Sequence, residues 1–252
     1  MTNDRSNEYH HDEWTGSALP PLPADFEAKR DDAHRLAYAV VAEARHAKAE
    51  RFGLRYLAGG FGTPVFGDNE RVRVAEGELI HEADGAERRS PITTLRAAAQ
   101  FVGIEPGTTG AEHDSPELGD VDVELRVDAE LTGFLDAWYG LAVESLRRIG
   151  ADPLAAEVSP IQLWPGHFDP ALEIGDQDAG QRATYGASPG DAAHPEPYLY
   201  VGAWADVDRS DPFWNESAFT GASLSFAELC LADDPREAAF AFYRSALHKL
   251  TG

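Results

Sequence analysis

Between Asp25 and about Glu50 the apolar residues Phe26, Ala33, Leu36, Ala37, Val40, Val41 and Ala44 recur at spacings of three and four, which predicts a helix with one dry face. The period changes over 54–90. Short apolar runs (Leu54 to Ala58, Val65-Phe66, Val72 and Val74, Leu79-Ile80) are broken by glycines, and the alternation Arg71-Val72-Arg73-Val74 with the turn pair Asp84-Gly85 predicts hairpins. A short helix over about 92–102 carries Thr94, Leu95, Ala98 and Phe101, and a Gly-, Pro- and acid-rich loop follows to Gly119. Val121, Val123, Leu125 and Val127 alternate with Asp122, Glu124 and Arg126, the pattern of a strand wet on one face. Asp128 is then placed to cap a helix whose stripe is Leu131, Phe134, Leu135, Trp138, Leu141, Ala142, Leu146 and Ile149, ended by Gly150. Strands near 158–163, 171–174, 182–186 and 197–203 and a last helix over about 234–250 complete the chain.

Each half therefore runs helix, strands, helix. Because strands follow one another without crossover helices, the order predicts an α+β fold with a mainly antiparallel sheet packed against helices. The strands of both halves are expected to join one layer. A chain of 252 residues can bury one substantial core. Residues 25–252 are thus read as a single α+β domain, with two similar halves, 25–119 and 120–252, as the alternative division. Residues 1–24 are polar and acidic, include His10-His11 and close on Pro20-Pro21-Leu22-Pro23; lacking any periodicity, they read as a flexible arm. The N-terminus lacks a signal-peptide pattern and no apolar run approaches ~20 residues, so a cytoplasmic protein is expected.

Charge narrows the partners. With 44 acidic against 21 basic residues the formal charge is −23, a field that repels phosphate backbones and anionic headgroups. Nucleic acid and membrane surfaces are thereby not expected as partners; a small molecule is among the partners that the charge leaves open. The single cysteine, Cys230, permits no internal disulfide. Its setting, Phe226-Ala-Glu-Leu-Cys-Leu231, reads as partly buried, and Asp233 and Asp234 disfavour a thiolate.

Chemistry-bearing residues are densest over 160–204: Pro160-Ile-Gln-Leu-Trp-Pro-Gly-His-Phe-Asp169, then Thr184-Tyr-Gly-Ala-Ser-Pro-Gly-Asp191, then His194-Pro-Glu-Pro-Tyr-Leu-Tyr-Val201. Gly186-Ala-Ser188-Pro-Gly190 matches the spacing of a nucleophile elbow. That motif needs the N–H of the residue after the serine and a helix beyond it; Pro189 has no N–H, and Pro195 and Pro197 deny the helix. A tight turn with Asp191 bonding nearby N–H groups fits better. His167 and Asp169 lie two apart, on one side of an extended segment, and Asp191, His194 and Glu196 follow about one hairpin later.

The main reading is a small-molecule site around 164–169 and 188–200, with Trp164, Arg182, Tyr198 and Trp204 as ligand-binding residues. Arg182 would neutralise a ligand carboxylate or pair with Asp176 or Asp178. The alternative is a metal-assisted hydrolase in which His167, Asp169 and His194 hold a divalent ion such as zinc or manganese, and Asp191 or Glu196 is the catalytic general base. A structural or interaction protein without a site is the third reading. The three segments, Trp-Pro-x-His-Phe-Asp, Ser-Pro-Gly-Asp and Glu-Pro-Tyr in that order, resemble those of a family of uncharacterised, mainly actinobacterial proteins. The resemblance covers roughly 45 residues; it implies a shared fold for this part and assigns no activity.

Overall fold

A computed structural model describes residues 18–109 and 115–252. Most of the expected N-terminal arm, with His10-His11, and residues 110–114 of the loop before Gly119 lie outside the described residues. The fold is α+β, and its strands form two antiparallel five-stranded sheets rather than the single layer expected. Each sheet is built from strands that pair with their sequence neighbours, across connections that run from the two-residue turn at Glu76-Gly77 to the long loop over 204–220. The chain divides into two compact units, Pro21–Asp136 with Leu163–Phe168, and Ala137–Gln162 with Asp169–Gly252 and the residues just before Pro21.

In the first unit the N-terminal helical run is α1 (Phe26–Leu36), a π-helical stretch (Ala37–Ala42) and α2 (Glu43–Ala49). All six residues of the π stretch are buried, so this part is dry all round, where the heptad-like spacing predicts only one dry face. The strands β1 (Arg55–Leu57), β2 (Gly60–Gly62), β3 (Arg71–Ala75), β4 (Glu78–Ala83) and β5 (Ala86–Pro91) form a meander in chain order. Then come α3 (Leu95–Val102), capped by Thr94, and the start of α4 (Ala129–Gly150).

The strand expected over 121–127 does not form. Leu125 and Val127 are buried, as the alternation requires, but Val123 is exposed, and the backbone spends its groups singly: Leu125 N–H on Thr93 O, Val121 O on Arg96 N–H, and Arg126 N–H on the carboxylate of Asp32. Alternation marked the dry side chains only at Leu125 and Val127, and no neighbouring strand is there to pair with.

His34 of α1 donates from Nε2 to Pro165 O (2.8 Å) and stacks on Phe168 at 5.3 Å. Burial, opposed by the Pro165 carbonyl, lowers its pKa to about 4. Between that value and the ordinary ~6.5, the unfolded chain takes up a proton that the folded chain refuses. Stability contributed by neutral His34 is therefore complete above about pH 6.5 and lost as pH falls toward 4. We expect a loss on the order of 3 kcal/mol across that window, absent in His34→Gln, whose amide still donates to Pro165 O; equal acid sensitivity of the two proteins in urea titrations would refute the assignment.

In the second unit, β7 (Asp169–Ile174), β8 (Ala183–Ser188), β9 (Tyr198–Ala203) and β10 (Gly221–Ser225) follow the sheet order β10-β9-β8-β7; β6 (Gln162–Trp164) falls mainly in the first unit. β10 and the six-residue α5 (Phe226–Leu231) were not expected. Ser225 starts α5 with a capping box, its hydroxyl on Glu228 N–H and the Glu228 carboxylate on Ser225 N–H. The last helix, α6 (Pro235–Thr251), is capped by Asp234 and buries Ala239, Phe242, Tyr243, Ala246 and Leu247. It lies against β9 and β10, with Tyr243 edge-on to Tyr185 at 5.9 Å. Cys230 is exposed, a correction to the partly buried reading: α5 buries Phe226 and Leu229, three apart, which turns Cys230 outward. Among the described residues, no helix is long and apolar enough to cross a membrane.

Candidate functional site

The strand period sorts β8 into two faces. Ala183, Tyr185 and Ala187 point one way, and Thr184, Gly186 and Ser188 the other. Directly paired residues share a face, so Tyr198 (opposite Ser188), Tyr200 (opposite Gly186) and Ser223 (opposite Tyr200) join the second set. Asp169 does as well, since it precedes by two the residue Ala171 that pairs with Gly186. One face of this sheet is therefore lined by serines, tyrosines and a carboxylate instead of aliphatic side chains.

Asp169 is 2% exposed, and its Oδ2 accepts from the Tyr200 hydroxyl at 2.5 Å. Gly186 makes this possible: a Cβ there would stand 2.5 Å from Cζ and Oη of Tyr200, so only glycine lets the phenol lie across the strand to reach the acid. Burial and then the Asp169 carboxylate push the Tyr200 phenol far above its ordinary range, which keeps it a donor. The neighbouring ring, Tyr198, is 6.1 Å away between centroids. Its hydroxyl donates to Asp191 Oδ2 at 2.6 Å and is also hydrogen-bonded to Ser188. Burial, and then the same carboxylate, raise its pKa. Two tyrosine–carboxylate pairs thus stand side by side.

Asp191 lies in the turn between β8 and β9, and its Oδ1 accepts from the N–H groups of Ala193 (2.7 Å) and His194 (2.9 Å), the turn expected from the sequence. Partial burial opposes its ionisation, but the Tyr198 hydroxyl and the two N–H groups outweigh burial and hold its carboxyl below the usual range. His194 rests on the Tyr198 ring at 4.5 Å, with Nδ1 3.9 Å from Asp191 Oδ1 and Nε2 3.1 Å from Glu216 Oε1. The side chains of Asp191 and His194 are 44% and 31% exposed, so this end of the polar face is open to solutes. Glu216 is 7% exposed and also receives the Ser223 hydroxyl.

The other expected residues lie elsewhere. Arg182 pairs with Glu173 at 2.5 Å and, more loosely, with Glu157 at 3.7 Å, in place of the expected Asp176 or Asp178. Its guanidinium stands 5.3 Å over the ring of Trp204, whose indole N–H is bonded to Thr184. Thr184 is four residues from Ser188 on β8, roughly 13 Å at ~3.3 Å per residue, so Arg182 and Trp204 form a separate cluster from Tyr198. Glu196 is exposed; partial burial and then the Glu196 charge raise the pKa of the Cys230 thiol. Ser188 ends β8 and accepts from Gly190 N–H, with no helix after it. Trp164, 45% exposed, and His167, also exposed, belong to the first unit. The metal set His167, Asp169 and His194 is divided between the units, and among the described residues no three His, Cys, Asp or Glu side chains are grouped to hold an ion.

Sequence reasoning set Ser188 aside as a turn residue, left Tyr200 out of the candidate residues, and missed Ser223 and Glu216. For Tyr200 a signal existed: Tyr198 and Tyr200 are two apart, the spacing that puts both on one face of a strand. Comparison of the chain with protein-family models, with curated proteins and with solved structures finds no match.

Proposed function

We propose that this chain binds a small polar molecule, rich in hydrogen-bond donors, at the exposed end of the polar sheet face in its second unit. Asp191, His194 and Tyr198 make the contacts, with Asp169, Ser188 and Tyr200 behind them. The observation that carries the reading is Asp191: a half-exposed carboxylate, held ionised by three donors, beside a half-exposed imidazole. Charge-assisted hydrogen bonds to such a group are about twice as strong as neutral ones. The phenols stay protonated at neutral pH, so the charged acceptor on offer is the Asp191 carboxylate, which selects ligands that donate. The formal charge of −23 favours cationic solutes in the same sense.

The test is a panel of ethanolamine, putrescine, guanidine and inositol, read by NMR on the His194 ring. At least one probe should shift those resonances saturably in the millimolar range. Asp191→Asn should weaken that binding by about tenfold, because asparagine keeps the turn's side-chain acceptor and loses the charge. Absence of any saturable shift across the panel would sink the proposal.

A further inference from the structure

Arg182 and Trp204, two of the residues expected to bind a ligand, take no part in the site around Asp191, and the strand register shows what lies beside them. Arg182 is opposite Trp204, whose N–H bonds the Arg182 carbonyl at 3.0 Å, and Thr184 is opposite Gly202. By strand period all four belong to the polar face. The indole reaches diagonally from Trp204 to Thr184, Nε1 donating to Oγ1 at 3.1 Å, so it has Arg182 on one side and Gly202 on the other. The Arg182 guanidinium covers the first side at 5.3 Å, held there by Glu173 and by Gly175 O at 3.1 Å. Over Gly202 there is open space: a Cβ built on it would meet no atom within 4 Å.

Trp204 is 51% exposed. With its N–H edge tied to Thr184 and one face on Arg182, the bare half of the indole is the face that looks over Gly202. Phe219, half-buried, stands on the β10 side of this notch: its ring meets Tyr200 edge-on at 6.1 Å and passes 2.8 Å from where a Cβ of Gly221, the β10 partner of Gly202, would be. The notch thus has a glycine floor, aromatic walls and one hydroxyl, since Thr184 Oγ1 accepts from the indole and keeps its own proton to donate. Trp204, Phe219 and Thr184 are uncharged, and the field of −23 repels anions. Arg182 already holds the indole as its cation–π partner, which disfavours a second cation. A neutral ligand is left, and the platform is one-sided. A flat aromatic ring stacked there would keep its other face in water. A sugar ring would set the C–H bonds of one face on the negative face of the indole and leave the hydroxyls of its rim solvated. We propose that the notch over Gly202 is a second binding site, which takes one neutral pyranose ring stacked on Trp204, with an oxygen of the sugar accepting from Thr184. It does not rest on the site at Asp191: Gly202 is four residues from Tyr198 along β9, roughly 13 Å at ~3.3 Å per residue, so either site can fail alone.

The probe is methyl β-glucoside, whose equatorial hydroxyls leave C–H bonds on both faces of the ring, and the readout is the Trp204 indole N–H resonance of the full chain. That resonance should shift saturably in the millimolar range. Gly202→Val fills the notch with a side chain whose Cβ touches nothing in the fold, and valine suits a strand, so the protein should fold as before and bind at least tenfold more weakly. Trp204→Ala, followed on the Thr184 methyl resonance, should abolish binding and carries the test if the valine variant does not fold. Cellotetraose distinguishes the source of the sugar: binding much tighter than that of the methyl glycoside marks the end of a glycan, and equal binding marks a free sugar, either of which supports the site. Absence of a saturable shift overturns the proposal, as does unchanged affinity in folded Gly202→Val or in Trp204→Ala. Tighter binding of phenol or of tetramethylammonium than of the glucoside overturns it as well, in favour of an aromatic or a cationic ligand.

Discussion

Trp138→Ala is expected to destabilise the protein by about 3–5 kcal/mol, the range for deleting a buried large aromatic. Trp138 is fully buried on α4 and meets Phe226 edge-on at 6.1 Å between centroids. The same substitution removes the donor to Ser188 O, which Trp138 Nε1 reaches at 3.1 Å, and leaves that buried carbonyl one partner short. The cost is thus partly apolar and partly polar, and Trp138→Phe separates them: it keeps most of the ring contact and loses the hydrogen bond, an expected ~1 kcal/mol or somewhat more. Urea unfolding of the three proteins reads both. A loss below ~1 kcal/mol for Trp138→Ala would mean that the stripe of α4 does not face a core. Because Ser188 is hydrogen-bonded to Tyr198, the tryptophan also bears on the site: Trp138→Phe should perturb the resonances of Tyr198 before those of the distant Trp204.

That α4 could be drawn from the sequence follows from its length. A 22-residue helix with an eight-member stripe repeats its period often enough to leave no rival, and β7 to β9 fall within two residues of the bounds expected for them. What periodicity does not carry is partnership. Residues 121–127 alternate as a strand should and have no neighbour to pair with, so Leu125 and Val127 are buried on an unpaired segment. β10 reads Gly-Ala-Ser-Leu-Ser, too poor in large apolar residues to signal a strand, although the Ser225-x-x-Glu228 capping box that follows was a usable mark. Arg182 makes the same point within the site region. Nearness in sequence favoured Asp176 and Asp178 in the turn, but register decides: Glu173 is opposite Thr184, which puts Arg182 at the diagonal position on the same face.

Of the site itself, Asp169, Asp191, His194 and Tyr198 could be named because proline and glycine mark the turn that holds the last three. Glu216 could not. It lies 22 residues after His194 in a stretch that also holds Asp206, Asp208 and Asp211, and nothing local distinguishes the one acid that the loop buries against β10. A polar residue's burial is a property of the return path of the chain, and apolar patterning is silent about it. The same holds for Gly186, whose requirement for a hydrogen side chain comes from a tyrosine on the next strand.

Tyr200→Phe tests whether the polar face is a single network. Phenylalanine fills the same volume across Gly186 and removes one atom, the hydroxyl that donates to Asp169. The carboxylate stays almost wholly buried with one donor fewer, a situation that costs more than the hydrogen bond was worth, because desolvation is no longer offset. We expect a loss of about 3 kcal/mol in urea unfolding. Asp169→Asn should cost less, on the order of 1 kcal/mol, since its amide oxygen still accepts from the phenol and no charge remains to be solvated. The double variant is the deciding measurement. Once Asp169 carries no charge, the Tyr200 hydroxyl has less to stabilise, so the two losses should fall short of adding by at least ~1 kcal/mol. Strict additivity would mean that the phenol and the carboxylate act independently, and Tyr200 would then be a packing residue alone. The readout nearer the surface is the His194 ring: with Asp169 and Asp191 held by adjacent tyrosines, Tyr200→Phe should move the Tyr198 resonances strongly and those of His194 detectably, whereas a packing role predicts changes confined to Phe219 and the strand partners of Tyr200.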